Sequence, residues 1–229
     1  MVQRLVLICL LSAPVLARGP QGAQGGSAGI FTTSGDVGHP AIKGAAQFDA
    51  ATGQYRIAGS GANMWAKQDQ FHYVWREISG NFTATATVRF LGQGADHRKA
   101  GIVLRQSLDT DATHADVVVH GNGMPSLQWR PRKGEDTNTF DLPVEGPGTF
   151  KLKMVRTGVR VFLYVIKGDG EPKEIVHTEV TFQPQIPLLV GLAVCSHDAA
   201  VSDTAVFSDV SIAAAPAPAP KKSLRLLLE

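Results

Sequence analysis

Cysteine is almost missing from this chain. There are two in 229 residues, Cys9 and Cys195. Cys9 lies in an N-terminal leader, so the mature domain keeps one thiol and can form no internal disulfide; its stability must come from a packed core. Charge of one sign is missing too. Lys plus Arg number 22 and Asp plus Glu 20, and the formal net charge is +2. The basic residues scatter along the chain, which argues against a nucleic-acid binder with a clustered basic face. After residue 17 no run reaches the roughly 18 apolar residues that a membrane-spanning helix needs, so no span is expected in the mature chain. There is no HExxH, no CxxC and no Walker loop, so the motif-borne zinc, redox and nucleotide chemistries have no anchor. No strand carries Glu-x-Asp-x-Glu or Glu-x-Asp-x-x-Glu, the spacing that sets an acid and a nucleophile on one sheet face for glycoside hydrolysis.

What remains suits a globular protein rich in turns. Hydrophobic residues make up 44% and charged ones 18%, with 24 Gly and 13 Pro. Residues 1–17 (MVQRLVLICLLSAPVLA) have a basic start at Arg4, a short apolar run and an end at Ala17 that a signal peptidase would cut. A secreted or periplasmic location is expected. Residues 18–29 form a Gly-rich leader, and their Gly25-Gly26-Ser27-Ala28-Gly29 is a chance match to a hydrolase elbow, with no strand before it and no helix after. Ala213 to Pro220 is an Ala-Pro spacer leading into KKSLRLLLE. Asn81-Phe82-Thr83 is a glycosylation sequon that matters only in a eukaryotic secretory route.

Between residues 30 and 212 the dominant period is two. Phe82 to Phe90 alternates Thr with small and apolar residues. The runs 150–156 and 159–166 flank Thr157-Gly158, a strong hairpin signal. Further strands are expected at 46–49, 54–59, 71–77, 99–107, 115–120, 126–130, 173–181, 188–196 and 204–212. No segment sustains a helical period. About a dozen short strands without helices predict an all-β fold, a two-sheet antiparallel jelly-roll sandwich.

One region splits its residues by character. On 115–120, Asp116, Val118 and His120 share a face with His114, while Ala115, Val117 and Val119 take the other. Gln128 and Arg130 separate from Leu127 and Trp129 in the same way. Pairing with an index sum near 221 would set Arg105 opposite Asp116. The polar face is expected to meet water or to form a cleft. It is either an outer sheet laced by cross-strand pairs or a ligand platform, whose Arg and Gln forks and carboxylates suit sugar hydroxyls. Phe71, Tyr73 and Trp75 form a stripe for which core packing is the default, and Trp65, after a Gly-rich turn, is the better sugar-stacking candidate. His97, Arg98 and Lys99 should meet His120 at one end of the sandwich as a basic, His-rich rim, with His197 joining them. Cys195 lies in an apolar run and is expected to be a buried, inert thiol. His114 and His120 are too far apart along a strand to share a metal ion, and no metal site is expected. Oxygen-rich loops leave room for a structural calcium, though no loop has dense ligand spacing.

The blocks Gly35 to Gly38, Gly59 to Trp65, Phe71 to Trp75, His97 to Ala100 with Leu104 to Ser107, Ala115 to Gly121, Ser126 to Arg130, Cys195 to His197 and Val206 to Val210 together resemble a bacterial concanavalin A-like lectin/glucanase domain. This type is often attached to TolB-like propeller proteins and is largely without an assigned function. The resemblance covers roughly residues 29–212. It implies a jelly roll and carbohydrate binding, with no specific activity. Three readings follow. The first is an exported, non-catalytic glycan-binding module in which Trp65, Arg105, Asp116, Gln128 and Arg130 contact a polysaccharide or uronate, beside the rim of His97, Arg98, His120 and His197. The second is a hydrolase or lyase using His and Arg. The third is an interaction domain of the cell envelope.

Overall fold

The computed structural model describes residues 29–215; the leader and most of the Ala-Pro tail lie outside them. Sixteen strands are present: β1 (Thr33–Val37), β2 (Ala45–Asp49), β3 (Gln54–Gly61), β4 (Met64–Trp65), β5 (Gln68–Asp69), β6 (Phe71–Ile78), β7 (Phe82–Leu91), β8 (Lys99–Arg105), β9 (His114–His120), β10 (Pro125–Arg130), β11 (Asn138–Asp141), β12 (Phe150–Thr157), β13 (Arg160–Lys167), β14 (Lys173–Glu179), β15 (Leu188–Cys195) and β16 (Asp198–Ala214). Two seven-stranded sheets carry the fold. The first runs β1-β6-β15-β8-β9-β10-β11 and the second β14-β13-β12-β7-β16-β3-β2, with every neighbouring pair antiparallel. This is the jelly-roll-like β-sandwich that the alternating pattern predicts.

Chain alternation builds the core. Phe82, Ala84, Ala86 and Val88 of β7, with Phe150, Leu152 and Met154 of β12, face Ile102, Leu104, Val117, Leu127 and Leu192 across the sandwich. The β12–β13 hairpin closes where the sequence marks it, with Thr157 opposite Arg160 and Gly158 at φ +61°, a conformation that glycine adopts without a Cβ penalty.

The two outer faces differ. Along β7 and β12 buried residues alternate with half-exposed ones, the signature of a sheet with one wet side. Along β8 and β9 every residue is buried. The outer face of the first sheet is therefore roofed, and the expected cleft is not open. A small hairpin, β4–β5, lies over it with Met64 opposite Asp69. Met64 joins Val37, Phe71, Tyr73, Trp75, Val103, Ala193 and Cys195 in a second apolar cluster beneath this hairpin. The aromatic stripe packs, as its default reading has it, but in this second cluster; Val74 and Ile78 are the residues of that strand in the main core.

Close backbone approach explains the glycine within β15. A Cβ on Gly191 would sit 1.8 Å from the carbonyl oxygen of Val74 on the neighbouring strand. Gly191→Ala should destabilise the domain by about 1–3 kcal/mol, the usual cost of forcing extra volume into a packed site. Urea unfolding measures it, and a midpoint unchanged from the parent would contradict this packing.

Candidate functional site

The register of the first sheet places side chains on its outer face in rows. Lys99 stands opposite His120, Val103 opposite Asp116, and Arg105 opposite His114. The index sum is 219, not 221. The two-residue shift keeps every side chain on its expected face and changes its partner, so Arg105 does not pair with Asp116. On the next strand Gln128 stands opposite Asp116 and Arg130 opposite His114.

Arg105 and Arg130 converge on Asp69 of the covering hairpin. Arg105 Nη1 donates to Asp69 Oδ2 at 2.7 Å, and Arg130 donates through Nη1 to Oδ2 and through Nη2 to Oδ1, both at 2.8 Å. All three side chains are fully buried. Arg130 also donates to the carbonyls of Ala66, Ala112 and Glu135, and Arg105 to those of Ser107 and Asp109. The guanidinium groups expected to face a sugar thus hold the roof instead. Asp116 and Gln128 are buried beside them. The Asp116 carboxylate lies 3.4 Å from His114 Nδ1, and neither Asp116 oxygen nor Gln128 Oε1 has a hydrogen-bond partner among the described residues.

The open part of this face is its far end, where three histidines from separate elements meet. His97 lies in the turn before β8, His120 ends β9, and His197 follows β15 in the left-handed region at φ +59°. The His97 and His120 ring centres are 5.4 Å apart, and those of His97 and His197 5.6 Å. His97 is exposed, His197 partly so, and His120 buried. This is the rim expected from the strand ends. Arg98 is not in it. It turns to the other side, bonds Asp203 at 3.2 Å and lies 4.3 Å over the Phe90 ring. Lys99 stays in the rim as expected, with its ammonium on Asn63 Oδ1 and the Met64 carbonyl and 5.6 Å from the centre of the half-buried Trp65 ring.

A directed chain of hydrogen bonds sets the tautomers. Ser126 Oγ donates to the Asp141 carboxylate at 2.6 Å, so its lone pairs face His120 Nε2 at 3.2 Å, which must donate. His120 Nδ1 is then an acceptor, and His97 Nδ1 donates to it at 3.3 Å. Burial first, then the nearby Lys99 and His97, push His120 down to about 3, so it is neutral at ordinary pH. Burial pushes the Cys195 thiol up to about 11 and its Sγ contacts the Gly61 carbonyl, which makes it an inert core thiol as its apolar run indicates. Asn63, Asp69 and Asp141 complete the arrangement without having been singled out by the strand pattern. Among the described residues no three His, Cys, Asp or Glu side chains are placed to hold a metal ion.

Two seven-stranded antiparallel sheets in this order make a jelly-roll-like β-sandwich. No family model matches the chain, and no curated protein matches it. Solved structures do. A functionally unknown protein from Saccharomyces cerevisiae is similar at TM-score 0.60 and 17% identity, over 76% of this chain and 93% of that one. The GH43 BlXynB protein from Bacillus licheniformis is similar at TM-score 0.53 and 14% identity, over 80% of this chain and 39% of that one. A xylan β-1,4-xylosidase from Bacillus halodurans C-125 is similar at TM-score 0.51 and 16% identity, over 70% and 33%. At these identities the likeness is one of fold.

Two acid-side predictions follow from the buried groups. Burial, the largest influence on Asp69, raises its pKa, but the Arg130 hydrogen bonds and the positive potential of His114, Arg105 and Arg130 together outweigh it and bring it to about 2. A carboxyl depressed in the folded state stabilises fully above its ordinary value near 3.8 and loses that stability as pH falls toward 2. Asp69→Ala leaves two buried guanidinium groups without their carboxylate and should cost about 3–5 kcal/mol. Denaturant unfolding at neutral pH and at pH 2 should show a smaller loss at the lower pH, where the folded carboxyl begins to take up its proton; an equal loss at both would contradict it. His120 acts in a different window. Its unfolded form binds a proton near pH 6.5 and its folded form only near 3, so between those values stability should fall with falling pH by up to about 1.4 kcal/mol per unit. His120→Gln should flatten that slope, and an unchanged slope would show that His120 is not its source.

Proposed function

We propose that the chain is an exported, non-catalytic carbohydrate-binding module whose ligand lies across the histidine end of the first sheet. The observation that carries this is the gathering of His97, His120, His197, Lys99 and Asn63 around a half-buried Trp65, with His97 exposed and His197 part-exposed. An aromatic face beside several fixed hydrogen-bonding groups suits a pyranose ring, which offers C–H surface on one side and hydroxyls at its edge. Export rests on the signal-peptide reading of residues 1–17. The Bacillus halodurans neighbour, named as a xylan β-1,4-xylosidase, lends direction to the carbohydrate reading.

Binding fits these groups better than catalysis. Both ring nitrogens of His120 are engaged, the Ser126 hydroxyl is committed to Asp141, and the Cys195 thiol is buried and protonated. Arg105 and Arg130 serve the site by holding the hairpin that carries Trp65.

Calorimetric titration against a panel of neutral and acidic oligosaccharides tests the proposal. Trp65→Ala should lower affinity at least about tenfold, in the range reported for losing one aromatic stacking contact, while Ile175→Ala on the far edge of the second sheet should leave it unchanged. Binding that ignores Trp65, or product released from any panel member, would overturn this reading.

A further inference from the structure

We infer that the histidine end selects an acidic saccharide, with the carboxylate of a uronate unit seated against Lys99, His97 and His197. The inference rests on the carbohydrate reading above and adds the charge of the ligand.

Lys99 supplies the first observation. Its side chain is 3% exposed, and its hydrogen bonds go to an amide oxygen and a backbone carbonyl, both neutral. Among the described residues no carboxylate forms an ion pair with it; Asp116, Asp69 and Asp141 act on it only from further away. Buried charges in folded proteins are normally met by an opposite charge. The other buried cations of this domain follow that rule, Arg98 with Asp203 and both Arg105 and Arg130 with Asp69. Lys99 departs from it, and it does so beside the open rim.

The histidines supply the second. Among the described residues His72 lies against the Asp36 carboxylate and His114 near that of Asp116, but no carboxylate lies within ion-pair distance of His97, His120 or His197. Asp141 reaches the cluster only through the Ser126 hydroxyl. Three imidazoles and an ammonium therefore share one end with no anion of the described residues in direct contact. The hydrogen-bond chain turns His97 Nδ1 inward to His120, which leaves Nε2 of the exposed His97 ring to meet a ligand. Protonated there, it donates to an anion.

The groups that set the pH response are these. Lys99 on β8, His120 on β9 and His97 in its turn all face His197, and burial together with Lys99 and His97 lowers the pKa of His197. Asp96 and Arg98 flank His97 in the chain, Cys195 and Asp198 flank His197, and Asp141 lies behind His120. A bound carboxylate offsets the positive potential and favours the protonated rings. Affinity for an acidic saccharide should therefore rise as pH falls from 7.5 to 5.5.

The experiment compares the full chain binding to polygalacturonate, polymannuronate and glucuronoxylan, each native and carboxyl-reduced, at both pH values. At least one native polymer should bind more tightly than its reduced form. The preference should grow at pH 5.5 by up to about tenfold for each pKa unit that a histidine shifts on binding. The double variant H97Q/H197Q, changed at accessible positions that leave the core intact, should lose this pH-dependent gain, and Lys99→Met should lose the preference itself. Equal binding of native and reduced polymers, or a gain that persists in H97Q/H197Q, would overturn the inference while leaving the carbohydrate reading in place. Binding to none of the six, and to no neutral oligosaccharide, would overturn both.

Discussion

A carboxylate cut off from water has to be met by positive charge, and Asp69 is met twice. Arg105 and Arg130 reach it from two strands of the first sheet. Its own hairpin is short, with two residue pairs, and could not hold its place by backbone pairing alone. The ion cluster fixes where the hairpin lies. From that follow the burial of Met64 against the second apolar cluster, the sealing of Asp116 and Gln128, and the position of Trp65 over Lys99. The Ala66 carbonyl, which accepts from Arg130 and from Thr137, ties the hairpin to the segment before β11 as well.

The sandwich is therefore asymmetric in use. The second sheet keeps one wet face of Thr and Lys and contributes mainly core. The first sheet is covered on both sides over most of its area and is accessible at one end. The end proposed for the ligand is set apart by the same contacts that stabilise the middle. The residues there are held by neutral hydrogen-bond partners, which leaves their positive charge available.

The sandwich was legible because alternation is local. Inward and outward positions on β7, β8, β9, β10, β12 and β13 follow from sequence order alone, and even the wrong pairing sum left every residue on its proper face. The gathering of His97, His120 and His197 was legible too, since strand ends must meet where neighbours pair. The roof was not. β4 and β5 are two residues each and carry no period, and the tie from Asp69 to Arg105 spans 36 residues and that to Arg130 spans 61. Nothing in local spacing marks such a partner, so a polar face read as open proved to be closed by a carboxylate from elsewhere in the chain. Arg98 and Lys99 could not both join the rim for a simpler reason: consecutive residues point to opposite sides of a sheet.

The most direct test of this picture is where a bound saccharide makes itself felt. Amide and imidazole shifts of isotopically labelled protein, followed by NMR during titration with a saccharide that binds, should move at Asn63, Trp65, His97, Lys99, His120 and His197 and stay still at Thr85, Lys151 and Lys153 on the wet face of the second sheet. Shifts concentrated on that second face, with the histidine end unmoved, would contradict the account.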